Sequence, residues 1–376
     1  WATYLLNLDS TKNMVRSLFV SKTALEKGAV RPKIDEFANI KEIGILGAGM
    51  MGAGIAHVSC LSNIKVVLFD KTLEDATNAK NKIEEELKKD LKNNRIDNEK
   101  FTKSLSLISL SDQFDSFNNC DLVIEAVFED IKIKGDILSN VCKHLKDTAI
   151  LASNTSTLPI TDLSKYCDNP DAFIGIHFFS PVNRMKLVEI IKGKNTNPLT
   201  VATAMDFCKI IKKTPIVVND QRFFYANRCI IPYVNEGVTM VGQGINPALI
   251  ENAAKQLGMP LGPLQLIDET SIQLADQIAK ETRKALGKGY IYSIFDEVLE
   301  FMIKNKRFGR KSNAGFYDYN EKGKRVGLWN GIKEKWKMND NFCFDEIKDR
   351  LALIQALEAV RAFENKVLTD IREGDV

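Results

Sequence analysis

A histidine and a glutamate near the middle of the chain form a pair suited to acid–base chemistry. His177 stands in an apolar run over 172–178, and Glu189 lies in a second apolar run over 187–191. If these runs are adjacent strands, the carboxylate holds the imidazole in one tautomer and raises its basicity, as a general base requires. A lone histidine at the end of a strand is more often structural, so the predicted role of His177 depends on Glu189.

Glycines form the second motif with a chemical meaning. Residues 41–57 run from an apolar segment into Gly47, Gly49 and Gly52, which predicts a strand, a phosphate loop and a helix. The first glycine allows a tight turn, the second lets the backbone approach a pyrophosphate, and the third lets the helix lie close to the strand. Glycine triplets with this spacing also occur in ordinary turns, so the motif alone does not establish a dinucleotide site.

A carboxylate strengthens the dinucleotide interpretation. Asp70 ends an apolar run over 65–70 and follows Gly47 by roughly 20 residues, the spacing at which an acid meets the adenosine ribose. Because a carboxylate repels a 2′-phosphate, NAD is favoured over NADP. A membrane span over 43–64 is the competing interpretation, since this segment is long and carries no formal charge. Its glycines and polar side chains argue against a span.

Short polar side chains are predicted at the same edge of the sheet. Asn154 and Ser156 come shortly after an apolar run over 148–152, where the carboxyl ends of parallel strands meet ligands. Asn227 opens a long helical segment further along the chain. For all three the alternative is a structural role, as a cap of the next turn or in the polar first turn of a helix.

Composition and charge narrow the classes of protein to which the chain can belong. Its 376 residues, 44% hydrophobic and 27% charged, are enough for two or three globular domains. A net charge of +3 does not indicate a nucleic-acid partner, although it is compatible with a lysine-lined groove for an acidic ligand. The seven cysteines contain no C-x-x-C spacing, so we expect free thiols in a reducing compartment. No disulfide framework, metal site, secretory signal or membrane span is predicted.

The elements that must position these side chains alternate between strands and helices. This alternation predicts a Rossmann-type, doubly wound, mostly parallel sheet, followed after residue 220 by an all-α domain. The predicted strands are 42–47, 65–70, 104–110, 121–127, 148–152, 172–178, 187–191 and 216–218, and the predicted helices of the sheet domain are 72–94, 131–145 and 199–211.

Four segments are predicted along the chain. Residues 1–40 form a helix capped by Ser10 and a polar linker; the helix either joins the domain to something upstream or packs on it as an extension. The NAD-binding domain covers 41–219, a first helical unit covers 220–338, and a second, truncated helical unit begins at 339–376. The apolar face of the first helix is predicted to consist of Met14, Val15, Leu18, Phe19 and Leu25.

An internal repeat supports a duplicated helical unit. When the C-terminal part is shifted by 122 positions, Arg228 lies over Arg350. The same shift places Glu236 over Glu358 and keeps the apolar positions in register. The second copy ends at Val376 before it reaches the helices that follow the first copy, so exposed apolar surface is expected there.

Together these motifs resemble the 3-hydroxyacyl-CoA dehydrogenase family, specifically the dehydrogenase part of the peroxisomal multifunctional enzyme (type 1) of fatty acid β-oxidation. Several motifs in the same order are more specific than any one of them. The resemblance implies an NAD-dependent L-3-hydroxyacyl-CoA dehydrogenase, an oxidoreductase with an acyl-CoA substrate. The segments that carry the resemblance are 47–52, 123–130, 153–156, 177–181, 187–191, 227–228 and 309–311.

The resemblance implies a role for each site residue. His177 would be the general base that removes the proton of the 3-hydroxyl group while hydride passes from C3 to the nicotinamide, and Glu189 would orient it. Ser156 and Asn227 would hydrogen-bond the reacting oxygen or the histidine. The residues expected to bind or adjoin NAD are Gly47, Gly49, Met50, Met51, Gly52, Asp70, Glu129, Lys134 and Asn154.

The resemblance also suggests partners and a compartment. An enoyl-CoA hydratase domain often precedes the dehydrogenase in multifunctional members, which would explain residues 1–40. A second helical copy takes the place of a dimer partner in those members, so a monomer or weak dimer is expected. The peroxisome is the suggested compartment, with the mitochondrial matrix and the bacterial cytoplasm as alternatives.

One position departs from the family pattern. Where the family usually has a glycine before a phenylalanine, this chain has Phe223 before Phe224. If that glycine adopts a positive φ, Phe223 is either strained or part of a rebuilt turn, which bears on the placement of Asn227. A degenerate relative that binds NAD or acyl-CoA without turnover therefore stays an alternative. So does another β-hydroxyacid dehydrogenase acting on a free acid, in which a lysine would be expected in place of the histidine.

Overall fold

The structure, a computed structural model, describes residues 7–339 and 341–376, apart from the side chain of Ala285. The strands are β1 (Glu42–Leu46), β2 (Lys65–Phe69), β3 (Ile108–Ser111), β4 (Leu122–Glu125), β5 (Ile150–Ser153), β6 (Phe173–Phe178), β7 (Leu187–Lys192), β8 (Thr214–Asn219), β9 (Tyr317–Tyr319) and β10 (Arg325–Leu328).

Sixteen α-helices are found in the described part of the chain. They are α1 (Asp9–Val15), α2 (Lys22–Glu26), α3 (Met50–Leu61), α4 (Leu73–Lys92), α5 (Asn98–Ser106), α6 (Ile131–Cys142), α7 (Ile160–Leu163), α8 (Pro198–Ile210), α9 (Ala226–Gly242), α10 (Pro247–Gln256), α11 (Pro263–Thr270), α12 (Ile272–Leu286), α13 (Ile294–Lys304), α14 (Gly331–Lys335), α15 (Phe344–Glu364) and α16 (Ile371–Asp375). A π-helical segment, Arg16–Ser21, joins α1 to α2.

Strands β1 to β8 form one sheet in the order β3-β2-β1-β4-β5-β6-β7-β8. The neighbours from β3 to β6 pair in parallel, whereas β7 runs antiparallel to β6 and β8 runs parallel to β7. The predicted Rossmann-type, mostly parallel sheet is therefore confirmed. The chain order reverses between β1 and β4, and ligands of such sheets bind outside the carboxyl ends of the strands at this point.

The predicted strand at 104–110 is wrong in its position. Asn98–Ser106 form helix α5 instead, and the edge strand β3 begins only at Ile108. Asp97 caps α5 by accepting a hydrogen bond from the backbone N–H of Lys100. Phe101 and Leu105 are four residues apart and pack together on the core, so the apolar spacing follows the helical period.

The chain divides into two compact units. The first contains residues up to Ala226 together with Ala362–Val376, and the second contains Asn227–Arg361. The division falls seven residues after the predicted boundary at residue 219, and the last residues of the chain lie with the sheet unit. Because short peptide segments carry no signal for the core they join, this return of the chain could not be inferred from periodicity.

The linker differs from its prediction in two respects. Helix α1 begins at Asp9 after Leu8, so Ser10 is inside the helix and is not its cap. Met14, Val15, Leu18 and Phe19 of the predicted apolar face are 42–66% exposed, and only Leu25 is buried. Beyond the helix, Arg31 and the backbone N–H of Ala38 both bind the carboxylate of Asp206 on α8, which ties the linker to the sheet unit.

The second unit brings the two copies of the repeat together. Nε of Arg228 donates to Glu358 at 2.8 Å. Reciprocally, Nε of Arg350 donates to Glu236 at 2.7 Å. The arginine of each copy thus binds the glutamate of the other, which is the pattern that an approximate twofold axis between α9 and α15 produces. The shift of 122 positions therefore corresponds to a structural duplication.

Replacing Glu373 of α16 by glutamine is expected to remove a pH dependence of stability. Glu373 is buried; one carboxylate oxygen accepts from the N–H of Val217 at 2.6 Å, and the other has no hydrogen-bond partner in the described part of the chain. Burial, with a smaller contribution from Asp370, raises the pKa of Glu373 from 4.5 to about 7. Between these values the unfolded chain releases a proton that the folded chain keeps, so stability falls as the pH rises through this window.

Urea unfolding of the wild type and of Glu373→Gln from pH 4.5 to pH 8 measures this effect. Across this pH window, the free energy of unfolding of the wild type is expected to fall by up to roughly 3 kcal/mol more than that of the variant. Glu364 is exposed, so Glu364→Gln serves as the control and should keep the wild-type profile. Parallel profiles for the wild type and Glu373→Gln would contradict the assignment.

Candidate active site

The three glycines of the phosphate loop occupy three different environments. Gly47 has φ +97°, which favours glycine, and a Cβ there would lie 2.9 Å from the carbonyl oxygen of Ala126. At Gly52 a Cβ would lie only 1.9 Å from the carbonyl oxygen of Gly47, so the helix can approach the loop only with glycine there. At Gly49 a Cβ would meet no atom within 4 Å. The space over Gly49 is open, as a site for a pyrophosphate requires.

The start of helix α3 adds hydrogen-bond donors to this open space. Gly49 is the N-cap residue of α3, and no side chain caps it. The first N–H groups of a helix point out of its end and carry a partial positive charge, which favours an anion. The loop and helix therefore fit the pyrophosphate of a dinucleotide. Met50 and Met51 open this helix, and their predicted contacts with the cofactor stay predictions.

Asp70 lies directly after β2 and accepts a hydrogen bond from the backbone N–H of Ala48 at 2.8 Å. This bond joins the end of β2 to the phosphate loop. The carboxylate stands where the sequence predicts an acid beside the adenosine ribose, and carboxylate oxygens can accept further hydrogen bonds. The contact of Asp70 with a ribose stays a prediction.

His177 and Glu189 are directly opposite each other on the antiparallel strands β6 and β7. Nδ1 of His177 lies 2.7 Å from Oε2 of Glu189, and the two side chains are 4% and 0% exposed. A carboxylate bound at Nδ1 leaves Nε2 as the basic nitrogen. The structure therefore forms the histidine–carboxylate pair that the two apolar runs predicted.

The other oxygen of Glu189 is also bound. Oε1 accepts hydrogen bonds from the backbone N–H groups of Tyr225 and Ala226 at 3.0 and 2.8 Å. Two aromatic rings flank the imidazole, since the ring centres of Phe179 and Phe224 lie 4.6 and 5.9 Å from that of His177. The pair is thus held in one orientation and shielded from water.

Glu129 organises the loop that carries Ser156. Its Oε1 accepts hydrogen bonds from the hydroxyl of Thr155 at 2.6 Å and from the N–H of Ser156 at 2.9 Å. It also accepts from both the N–H and the hydroxyl of Thr157 at 3.0 Å. Burial alone would raise the pKa of Glu129, but the charge of Lys134 and these hydrogen bonds outweigh burial, so its pKa lies below the usual value. Glu129 is therefore ionised at neutral pH.

Lys134 is buried and pairs with two glutamates. Its side chain is 1% exposed, and its ammonium group lies 2.7 Å from Glu125 and 3.2 Å from Glu129. Glu125 also accepts a hydrogen bond from Ser153 on β5 at 2.6 Å. Glu125 is not among the site residues predicted from the sequence, although a carboxylate inside an apolar strand is the signal that could have identified it. The predicted proximity of Lys134 to the cofactor stays a prediction.

Asn154 and Asn227 lie in different parts of the chain. Asn154 follows β5, and its Oδ1 accepts from the backbone N–H of Phe178 at 2.8 Å, which fixes the residue after His177. Asn227 is the second residue of α9 and the first residue of the second unit. Ser156 and Asn154 are therefore found on the same sheet edge as His177, while the predicted function of Asn227 stays a prediction.

The departure at Phe223 produces backbone strain. Phe223 has φ +69° and Phe224 has φ +52°, so both adopt the left-handed conformation that favours glycine. Two contacts hold this turn. The N–H of Phe224 donates to the carbonyl oxygen of Gln221 at 3.0 Å, and the side chain of Phe224 is fully buried beside His177. The expectation of a strained backbone at Phe223 is confirmed by its positive φ.

Glycine at position 223 is expected to stabilise the fold relative to alanine. Both substitutions remove the aromatic ring and its contact with the guanidinium of Arg222, which lies 4.8 Å from the ring centre. Only glycine, however, adopts the positive φ of this position without strain. We expect Phe223→Gly to unfold with a free energy about 1 kcal/mol greater than Phe223→Ala. Denaturant unfolding of the two variants checks this; an equal or greater stability of Phe223→Ala would show that the turn is not strained.

No membrane-spanning candidate occurs among the helices of the described residues. Within the same residues, no cluster of three or more histidine, cysteine, aspartate or glutamate side chains is arranged to hold a metal ion.

The fold and the glycine-loop site together define an NAD-dependent dehydrogenase, an oxidoreductase. Residues 42–221 match the family model described as 3-hydroxyacyl-CoA dehydrogenase, NAD binding domain, and residues 224–319 match the model of the C-terminal domain. The chain belongs to the 3-hydroxyacyl-CoA dehydrogenase family.

Solved structures support this assignment. (S)-3-hydroxybutyryl-CoA dehydrogenase from Ralstonia eutropha is 30% identical with a TM-score of 0.71, over 75% of this chain and 100% of that one. 3-Hydroxybutyryl-CoA dehydrogenase from Escherichia coli is 27% identical with a TM-score of 0.70, over 75% of this chain and 60% of that one. The dehydrogenase part of multifunctional enzyme 1 from Caenorhabditis elegans shares the fold, with 24% identity and a TM-score of 0.68 over 95% of this chain and 84% of that one.

Proposed function

We propose that the protein is an L-3-hydroxyacyl-CoA dehydrogenase of fatty acid β-oxidation, with His177 as the general base and Glu189 as the residue that orients it. The observation that carries the proposal is the buried contact of 2.7 Å between His177 and Glu189 at the sheet edge. Lysine would be expected in place of the histidine in a dehydrogenase of free β-hydroxyacids, so the pair favours the CoA ester as substrate.

His177 performs the proton transfer. Because Glu189 occupies Nδ1, Nε2 accepts the proton of the substrate 3-hydroxyl group in the oxidation, and it returns a proton to the 3-keto oxygen in the reduction. The carboxylate stabilises the imidazolium that forms, and its own charge is held by the two N–H groups of Tyr225 and Ala226. NAD, when bound, supplies the hydride acceptor.

Ser156 and Asn154 position groups around the reacting atoms. Glu129 fixes the backbone of Ser156, so the hydroxyl of Ser156 can be placed to hydrogen-bond the substrate oxygen or the imidazole. Asn154 fixes the residue after His177 through the N–H of Phe178.

We further propose that the chain is the dehydrogenase part of a multifunctional enzyme that also contains an enoyl-CoA hydratase and acts in the peroxisome. Two observations support this arrangement. The reciprocal pairs Arg228–Glu358 and Arg350–Glu236 join two copies of the helical repeat in one chain. The ties from Arg31 and Ala38 to Asp206 hold the linker on the sheet unit. Localisation of the full-length protein by fluorescence microscopy tests the compartment.

The proposed reaction is tested by following the oxidation of NADH with acetoacetyl-CoA, and separately with free acetoacetate, as the substrate. Turnover only with the CoA ester is the expected result. Turnover of the free acid at an equal rate would favour another β-hydroxyacid dehydrogenase. Binding of NADH without turnover of either substrate would favour a degenerate relative and would point to the strained turn at Phe223 as its cause.

A further inference from the structure

Two partly exposed cysteines, Cys142 and Cys167, face each other in the first unit. Cys142 is the last residue of α6, and Cys167 follows a short 3₁₀ helix, Ser164–Tyr166. The thiol of Cys167 donates a hydrogen bond to the sulfur of Cys142, and the backbone N–H of Asp168 donates to the same sulfur. Neither cysteine takes part in the proposed dehydrogenase reaction, so the pair is available for chemistry of its own.

The packing of α6 against the residues before Cys167 brings the two sulfurs together. Gly135, Ser139 and Cys142 lie on one face of α6, because their spacing follows the helical period. Tyr166 packs on this face: a Cβ at Gly135 would lie 2.5 Å from its ring, and its carbonyl oxygen accepts a hydrogen bond from the hydroxyl of Ser139 at 3.1 Å. The next turn of this face then meets Cys167. Successive turns of the helix therefore set the contact between the thiols.

The surroundings give the two thiols different reactivities. The hydrogen bond from Cys167, with that from the N–H of Asp168, lowers the pKa of Cys142, although burial and the charge of Asp168 oppose this effect. The same hydrogen bond between the thiols, together with burial, raises the pKa of Cys167. The thiolate is the nucleophilic form of cysteine. Cys142 is therefore the sulfur that attacks an oxidant, and Cys167 is the partner that reacts second.

Four other cysteines provide a contrast to this pair. Cys60, Cys120 and Cys208 are fully buried, and burial raises the pKa of each thiol. Buried thiols in apolar surroundings are inert, so these three are packing residues. Cys343 is exposed, so an oxidant can reach it, and it lies outside the first unit. It therefore supplies the matched control for a cysteine substitution.

We infer that Cys142 and Cys167 form a reversible disulfide when the protein reacts with hydrogen peroxide. The thiolate of Cys142 attacks one oxygen of the peroxide, the O–O bond breaks, and the other oxygen takes up a proton and leaves as water. Cys142 is thereby oxidised to a sulfenic acid. The sulfur of Cys167 then attacks the sulfur of Cys142, the S–O bond breaks, and the hydroxyl group leaves as water with the proton of the Cys167 thiol. In sum, two thiols and one peroxide give one disulfide and two water molecules.

The disulfide closes a loop of the chain that contains β5 and the site residues Asn154 and Ser156. Such a bond restricts the unfolded chain, so the oxidised protein is more stable than the reduced one. Helix α6 begins shortly after Glu129 and extends for 12 residues, about 18 Å, to Cys142. The bond therefore lies at the end of α6 opposite to the active site, and it constrains the segment of β5 without contacting the reacting groups.

The test treats the protein with hydrogen peroxide, alkylates the remaining thiols and digests the chain with trypsin without reduction. Cleavage after lysine and arginine places the two cysteines in separate peptides, 135–143 and 166–184. Mass spectrometry is expected to find these peptides joined, with the loss of two hydrogen atoms, and dithiothreitol should separate them. The melting temperature of the oxidised wild type should exceed that of the reduced protein by at least about 4 °C.

Serine variants test the two roles separately. In Cys167→Ser the hydroxyl group can still donate to Cys142, so Cys142 is still oxidised, but without a partner it proceeds to the sulfinic acid, which dithiothreitol does not reduce. In Cys142→Ser, Cys167 is expected to be oxidised at least about tenfold more slowly than Cys142 in the wild type. Cys343→Ser should form the disulfide as the wild type does. Thermal unfolding of the reduced variants checks that each is folded.

Three results would overturn the inference. The first is a wild type in which peptides 135–143 and 166–184 stay separate while Cys142 is oxidised to the sulfinic acid. The second is oxidation of Cys167 in Cys142→Ser as fast as that of Cys142 in the wild type, which would reverse the two roles. The third is a disulfide that leaves the melting temperature unchanged, which would contradict the constraint on the segment of β5. None of these measurements depends on turnover of an acyl-CoA.

Discussion

Replacing His177 by glutamine is expected to lower kcat for the reduction of acetoacetyl-CoA by about 10²–10⁴-fold. Glutamine has similar length and can still bind Glu189, so the buried carboxylate keeps a partner. It cannot exchange a proton with the substrate oxygen, however, so only the contribution of acid–base catalysis is removed. Stopped-flow or steady-state measurement of NADH oxidation gives kcat for the wild type and the variant.

Two further measurements make the His177 prediction specific. NADH affinity is expected to be unchanged, because His177 lies on β6 and the phosphate loop follows β1. Glu189→Gln should also lower kcat, because a neutral amide no longer stabilises the imidazolium, although the backbone donors of Tyr225 and Ala226 remain. If His177→Gln retained more than about a tenth of the wild-type kcat, the general-base assignment would be wrong.

Valine at position 49 is expected to weaken NADH binding at least about 100-fold, a loss of about 3 kcal/mol, without unfolding the protein. Gly49 has φ −64°, which any residue adopts, and a Cβ there meets no atom of the protein within 4 Å. The side chain therefore fills the space that the pyrophosphate needs and disturbs nothing else. Fluorescence titration with NADH measures the affinity, and thermal unfolding measures the stability.

Gly52→Ala is the matched comparison for the variant at Gly49. Its Cβ would lie 1.9 Å from the carbonyl oxygen of Gly47, so helix α3 must move away from the loop and the melting temperature should fall. The two substitutions thus distinguish a loss of space for the cofactor, at Gly49, from a loss of backbone packing, at Gly52. Normal NADH affinity in Gly49→Val would contradict the location of the pyrophosphate, whereas a lowered melting temperature in that variant would contradict the open space over Gly49.

The phosphate loop and the alternating elements could be predicted because their signals are local. The roles predicted for Gly47 and Gly52 depend on the conformation and close approach of a few neighbouring backbone atoms, and the structure confirms both. The histidine–carboxylate pair needed one further assumption, that the two apolar runs are adjacent strands. Their antiparallel pairing places His177 opposite Glu189.

Several parts of the site could not be predicted because they depend on contacts between distant segments. Glu125 and Lys134 form a buried ion pair below the loop of Ser156, and a sequence does not reveal which charges are removed from water together. The cavity between the linker, α8 and β8 arises for the same reason, since linker lysines meet Lys186 and Lys213 only after folding. The strand predicted at 104–110 was misplaced because short apolar runs fit a helix and a strand equally well.

The sequence by itself determined the dinucleotide loop, the Rossmann-type order of elements, the duplicated helical segment and the two residues of the acid–base pair. These features depend on residue type and on spacing along the chain, which are independent of folding. Only the tertiary structure decided the contact of 2.7 Å between His177 and Glu189, the positive φ of Phe223 and the return of residues 362–376 to the sheet unit. These features arise from pairing, burial and charge between segments far apart in the chain, whose energies exist only when the chain is folded.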